Sequence, residues 1–357
     1  MKSVFIFGAG ASHDAGGPLM SDFFDKAERL LRHNKVPDAK EQFEDVFKAI
    51  AELQPMHSKS YFDLDNLEMV FGAIEMGQLI HKFAKRSPEE IAKLRDSMVT
   101  LIVKTLEQSI LFPTHGSQVH APQVYKQFAE MLGQVSSKTN TNDYSFITFN
   151  YDVALDYALF FNSIRTDYYL AGDMAPTSNA LPLLKLHGSI NWGLCTHCDE
   201  IVAYEVGSVQ WDLFRQGGPP HVLFDLGSKL TQVMHPKCKH QLKGPPIIVP
   251  PTWDKTSHHT KLAKVWKRAA KELETAENIF IIGYSLPDSD LFFRYLFSLG
   301  SEGDTRIKRF WVIDPNRDNV EARFKKLIGR GLENRFRFIQ ERFAGVIDVL
   351  REALEDS

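Results

Sequence analysis

Short apolar runs punctuate the chain at "SVFIFGAG" (3–10), "YSFITFN" (144–150), "LLKLHGS" (183–189), "PPIIVP" (245–250), "NIFIIGYS" (278–285) and "RFWVIDP" (309–315). Each is apolar at successive positions, not only at alternate ones, and several end in glycine or a small polar residue. A strand buried on both faces has this pattern, so the runs predict a parallel sheet covered by helices on either side. Between the first two runs the period changes. "AKEQFEDVFKAIAEL", "DNLEMVFGAIEMGQLIHKFAKR", "PEEIAKLRDSMVTLIVKTLEQSILF" and "APQVYKQFAEMLGQV" repeat apolar residues at three- and four-residue spacing, as helices do. "SPEE" at 87–90 reads as a helix start, with a serine cap, proline behind it and acidic residues in the first turn. The stretch 190–244 is rich in Gly, Cys, His and Trp, lacks a helical period and predicts a small irregular module.

At 357 residues the chain can bury a large core, as one domain with insertions or one domain with a smaller module. Its 43% hydrophobic and 24% charged content is that of a globular protein, and no apolar run approaches the ~20 residues of a membrane span. The chain begins "MKSVFIF", entering a strand-like run without signal-peptide pattern. Three cysteines, an odd number, argue against a disulfide framework. Together these features predict a cytoplasmic protein with no membrane association. A net charge of −3 offers no global attraction for nucleic acid, and "KFAKR" (82–86) and "RGLENRFRF" (330–338) read as solvated basic patches.

Ligands of an open parallel sheet bind beyond the carboxyl ends of its strands, which directs attention to the residues after each run. Gly8 and Gly10 permit a close backbone approach to a diphosphate, or simply tight packing. The third glycine of a G-x-G-x-x-G loop is absent, with His13 in its place. Gly283-Tyr284-Ser285 is either a turn with a helix cap or a second floor of small residues. Asp314 is placed to accept from ribose hydroxyls, or to cap the turn before Pro315. Asn150 and Asp152 could cap the helix "YDVALDYALFF", and His187 could be a satisfied core imidazole.

In order, "GAGAS…GGP" (8–18), "TFNYD" (148–152), "LHGS" (186–189), "GYSL" (283–286) and "VIDP" (312–315) resemble the sirtuin superfamily, whose members carry GAGxS…GxP, TQNxD, a catalytic HG, a GTSL-like loop and a late strand ending on a ribose-binding residue. The likeness covers residues 4–18 and 144–315 and leaves the helical segment outside. Within the superfamily the chain is similar to bacterial SIR2-like proteins of anti-phage defence, which share TFNYD, KLHGS and GYSLPDSD and mostly hydrolyse NAD instead of deacylating lysine. The fold expected is α/β, a Rossmann-like parallel sheet of sirtuin type over residues 1–34, 136–189 and 245–357, with a helical insertion at 35–135 and a Cys/His module at 190–244. The resemblance implies Asn150 and His187 as the catalytic pair. It implies NAD contacts from Gly8, Ala9, Gly10, Ser12, Asp152, Gly283, Ser285 and Asp314.

The implied function is that of an NAD+ glycohydrolase, an antiviral effector cutting NAD into ADP-ribose and nicotinamide. Its control would come from a homo-oligomer or from a partner such as a HerA-type ATPase or helicase. The alternatives are an NAD-dependent protein deacylase and a sensor that binds NAD or ADP-ribose without chemistry. Deacylating sirtuins carry Asp-Phe-Arg after GxP, whereas "PLMSDFF" has Asp22 and Phe23 displaced and no arginine.

By the same resemblance Cys195-x-x-Cys198, eight residues after His187, stands where sirtuins place the first half of a zinc ribbon. His235-x-x-Cys238 would supply the second half, with His240 as the alternative fourth ligand and His197 directed outward. Three thiolates and an imidazole are a known structural zinc set, and C-x-x-C presents both sulfurs to one metal. The other reading is three free cysteines in a Gly-rich insertion.

Overall fold

The structure, a computed structural model, describes residues 1–55, 59–115, 118–171, 179–209, 221–249, 256–287 and 290–356. The strands of its large sheet are β1 (Ser3–Phe7), β2 (Tyr144–Thr148), β3 (Thr166–Asp167), β4 (Leu181–Lys185), β5 (Asn278–Ile282), β6 (Arg309–Ile313) and β7 (Phe336–Ile339). They lie in the order β7-β6-β5-β1-β2-β4-β3, and every neighbouring pair is parallel. The chain builds outward from β1 on one side and then on the other. Strand order therefore reverses beside β1, and a crevice opens there at the carboxyl edge.

Both faces of the sheet are apolar, as the continuous hydrophobic runs predict. Phe5, Phe7, Phe146, Phe280 and Ile282 enter one core, while the intervening Val4, Ile6, Ile147, Ile279 and Ile281 enter the other. The first core is built on aromatic rings: Phe5 stacks with Phe146 and Phe280 and meets Phe128 edge-on. Phe128 belongs to the helix Gln123–Thr139, which covers that face. Full burial of each such side chain contributes ~1.5–3 kcal/mol.

Two expectations about strands need correction. The described part of the run at 245–250, residues 245–249, does not join the large sheet; Ile247 and Ile248 instead pair antiparallel with Ser189 and Gly188. Conversely, part of the supposed basic patch at 330–338 forms the edge strand β7, whose Phe338 is buried. Its alternating Phe-Arg-Phe pattern is that of an edge strand, with Arg337 stacked over Trp311.

The segment between β1 and β2 is helical at Lys40–Leu53, Leu67–Leu79 and Pro88–Glu107. Ser87 accepts from the Glu90 amide while the Glu90 carboxylate accepts from the Ser87 amide, a reciprocal cap with Pro88 in the first turn. The expected helix through "SILF" stops at Glu107, and Leu111–His115 is a strand paired with His221–Leu223 of the small module. Among the described residues, no helix is long and apolar enough to cross a membrane.

Backbone hydrogen bonds continue past the strand ends. Gly8 N donates to Ile282 O, Phe149 N to Phe7 O, Leu186 N to Thr148 O, Gly283 N to Ile313 O and Asp314 N to Ile339 O. The loops after β1, β2, β4, β5 and β6 are thereby fixed along one edge. Gly283 has φ +61°, and a Cβ there would stand 2.2 Å from the Ala11 nitrogen. Gly283→Ala should therefore lower unfolding free energy by more than ~2 kcal/mol in urea titration. Gly329→Ala, with nothing within 4 Å of the added carbon, should change it by less than ~0.5 kcal/mol.

Candidate active site

The crevice holds a cavity of about 430 Å³, bordered by Gly8, Ala9, Gly10, Asn150, His187, Gly283, Ser285 and Asp314. That volume suits a small organic ligand. Its floor exists because two loops pass within backbone contact: Gly10 N donates to Gly283 O at 2.9 Å, and a Cβ on Gly8 would meet the Tyr284 Cα at 2.6 Å. The glycines thus serve loop packing as well as ligand access.

Asn150 follows β2. Its side-chain nitrogen donates to Gly8 O (2.9 Å) and to Ser12 Oγ (3.0 Å). Both amide hydrogens are committed to the floor, so the group it can offer a ligand is the carboxamide oxygen, an acceptor. Ser12 Oγ in turn donates to Asp152 Oδ2 (2.7 Å) and lies 2.8 Å from the Tyr125 hydroxyl. Asp152 Oδ1 accepts from the Ala154 amide at 2.9 Å. Ser12 and Asp152 are buried and do not border the cavity. They stand behind Asn150, Ser12 bonded to its amide and Asp152 to Ser12.

A second buried layer lies beneath. Lys185, fully buried, pairs with Asp156 at 3.0 Å and donates to the Asp152 carbonyl. Tyr168 donates to the other Asp156 oxygen (2.6 Å). Burial pushes the Asp152 carboxyl above its ordinary value, opposed by the charge of Lys185 and by the bonds from Ala154 and Ser12.

His187 follows β4 and is buried, its ring edge-on to Phe149 at 5.1 Å and tilted to Tyr151 at 6.3 Å. Gly188 has φ +86°, and a Cβ there would stand 2.0 Å from the Ile247 carbonyl oxygen. Only glycine lets the chain turn there while Val249 N donates to His187 O. Phe149 stacks on Tyr284 at 4.2 Å, giving the cavity an aromatic wall. Asp314 caps its own turn, accepting from the Asn316 amide at 2.8 Å, and also borders the cavity; burial raises its carboxyl above the ordinary value.

Sequence reasoning did not single out Glu68, Asp290, Arg342 or Phe343, all of which border the cavity. Arg342 pairs with Asp14 at 3.1 Å, joining the segment after β7 to the first loop. Recognition of β7 would have pointed to Arg342, since it too follows a strand end. Asp22 accepts from the Leu19 amide, and Phe23 is buried in the core. Neither borders the cavity.

In the Cys/His module, strands Trp192–Cys195 and Glu200–Ala203 pair antiparallel, so the intervening turn presents Cys195 and Cys198 on one side. Cys195 Sγ stands 3.4 Å from Cys238 Sγ, and His235 Nδ1 lies 3.4 Å from Cys198 Sγ and 2.8 Å from Cys238 Sγ. All four donor atoms lie within 4.8 Å of one another. Three thiols and an imidazole converging on one point fit a tetrahedral structural zinc. His235 Nε2 stands 3.7 Å from a Glu200 oxygen, the outer partner a metal-bound imidazole needs. His240 is outside the set; it stacks on the exposed His197.

No family profile matches the chain, and neither does any curated protein. Solved structures do. A Sir2 homologue in complex with ADP-ribose is 15% identical with a TM-score of 0.44, covering 99% of this chain and 92% of that one. A Sir2 homologue bound to NAD is 14% identical with a TM-score of 0.44, covering 99% and 90%.

The purified protein should carry about one zinc per chain, measured by atomic emission, and Cys238→Ser should lose it. Retention of metal by that variant would exclude the four-ligand set.

Proposed function

We propose that the protein is an NAD+ glycohydrolase. The observation that carries this reading is that Asn150 and His187, delivered by the ends of two different strands, border one cavity with the glycine floor. The motif likeness to SIR2-like NAD hydrolases supports it independently. The C1′–N bond breaks with its electron pair going to nicotinamide, which leaves neutral, and positive charge builds at the anomeric carbon. Water adds there. The Asn150 oxygen suits placing that water, and the His187 imidazole suits taking its proton. Gly8, Ala9, Gly10, Gly283 and Ser285 line the diphosphate and ribose path in this reading, and Asp314 accepts from a ribose hydroxyl. Ser12 and Asp152 act through Asn150.

The use of Asp22 in a turn and of Phe23 in the core, neither of them bordering the cavity, favours hydrolysis over deacylation. Unrestrained NAD loss would harm a host cell, so the reading includes control by self-assembly or by a partner ATPase, and a role in antiviral defence within the cytoplasm.

Chromatography of NAD incubated with the protein, with and without an acetylated peptide, separates the readings. Hydrolysis yields ADP-ribose and nicotinamide without peptide, at a rate per chain that rises with protein concentration. Peptide-dependent O-acetyl-ADP-ribose would instead mean deacylation, and intact NAD with measurable binding would mean a sensor. Asn150→Ala and His187→Ala should each lower turnover by ~10²-fold or more with far-UV dichroism unchanged.

Asp314 provides a pH signature. Its folded value lies above the ordinary 3.8, so affinity that depends on the anion is intact above the raised value. That affinity is lost as pH falls through it, before an ordinary carboxylate would protonate. Calorimetric NAD titrations should show this acid-side loss, and Asp314→Asn should flatten it.

A further inference from the structure

We infer that Glu68, supplied by the helical segment between β1 and β2, is a member of the cleavage site whose carboxylate faces the cationic nicotinamide–ribose end of NAD. The inference rests on the glycohydrolase reading. Glu68 borders the same cavity as Asn150 and His187, although it comes from a part of the chain that the motif pattern does not cover.

Its position is built. Asn66 caps the helix Leu67–Leu79, its side-chain oxygen accepting from the Glu68 amide (2.9 Å) and the Met69 amide (3.1 Å). Buried Leu67, Val70 and Phe71 anchor the same turn in the core. A first-turn carboxylate is also favoured by the partial positive charge of the helix start. Burial pushes the Tyr151 and Tyr284 hydroxyls well above their ordinary value, and the negative charge of Glu68 adds a smaller push in the same direction. Tyr284 stacks on Phe149, and Phe149 and Tyr151 both contact the His187 ring. Glu68 lines the cavity together with Phe149, Tyr151, Tyr284 and His187.

The oxidised nicotinamide ring is a cation, and when its bond to ribose breaks the charge passes to the anomeric carbon. A carboxylate facing that end stabilises both, and it favours NAD+ over NADH, whose ring is neutral.

The test uses calorimetric binding of NAD+ and NADH to the full chain carrying His187→Ala, which slows turnover enough to measure binding. Adding Glu68→Gln should weaken NAD+ binding about five- to tenfold and leave NADH unchanged, while Glu68→Asp should largely keep the preference. In the otherwise wild-type chain, Glu68→Gln should lower kcat about tenfold without moving the unfolding midpoint. An NAD+/NADH affinity ratio unaffected by Glu68→Gln overturns the inference while leaving the hydrolase reading intact. NAD+ that neither binds nor is cleaved by the wild-type chain overturns that reading, and the inference with it.

Discussion

The close passage of two backbone loops is the constraint on which the site depends. Residues 8–11 and Gly283 approach so nearly that a methyl group on Gly8, Gly10 or Gly283 would come within 3 Å of the opposing chain. These loops end adjacent strands at the place where strand order reverses, and the sheet's own hydrogen bonds carry them into contact. The cavity floor is therefore an extension of the sheet, as rigid as the strands behind it, and side chains placed on it are held without flexible support.

Behind the floor lies an unusual quantity of buried polarity. Asn150, Ser12, Asp152 and Tyr125 form one connected set, and Lys185, Asp156 and Tyr168 form another that touches it through the Asp152 backbone. Such groups cost several kcal/mol when left unpartnered in a core. Their mutual satisfaction fixes a single arrangement, and with it the direction of the Asn150 carboxamide. A buried lysine two residues before His187 also ties β4 to the loop after β2. The two side chains proposed to carry out the chemistry are thus coupled through the scaffold.

Legibility in the sequence followed the physics of each signal. β1, β2, β4, β5 and β6 were readable because strands buried on both faces leave continuous apolar runs. The edge strand β7 was not, because alternate arginines gave it the look of a solvated patch. "PPIIVP" was apolar enough for a core strand, yet its partner is the two-residue stretch after His187, a pairing that no local pattern records. The serine cap at Ser87 was readable to the residue, since capping acts within one turn.

The sequence by itself determined the alternation of buried strands and helices, the small residues after several strands, and the placement of chemistry-bearing side chains directly after strand runs, because these are local consequences of period and of backbone freedom. Tertiary structure alone decided that Ser12 and Asp152 stand behind the cavity while Glu68 and Arg342 border it, and that His235, not His240, joins the three cysteines. Those outcomes depend on which distant segments pack together, and packing is set by the shape of the whole core and not by the composition of any one stretch.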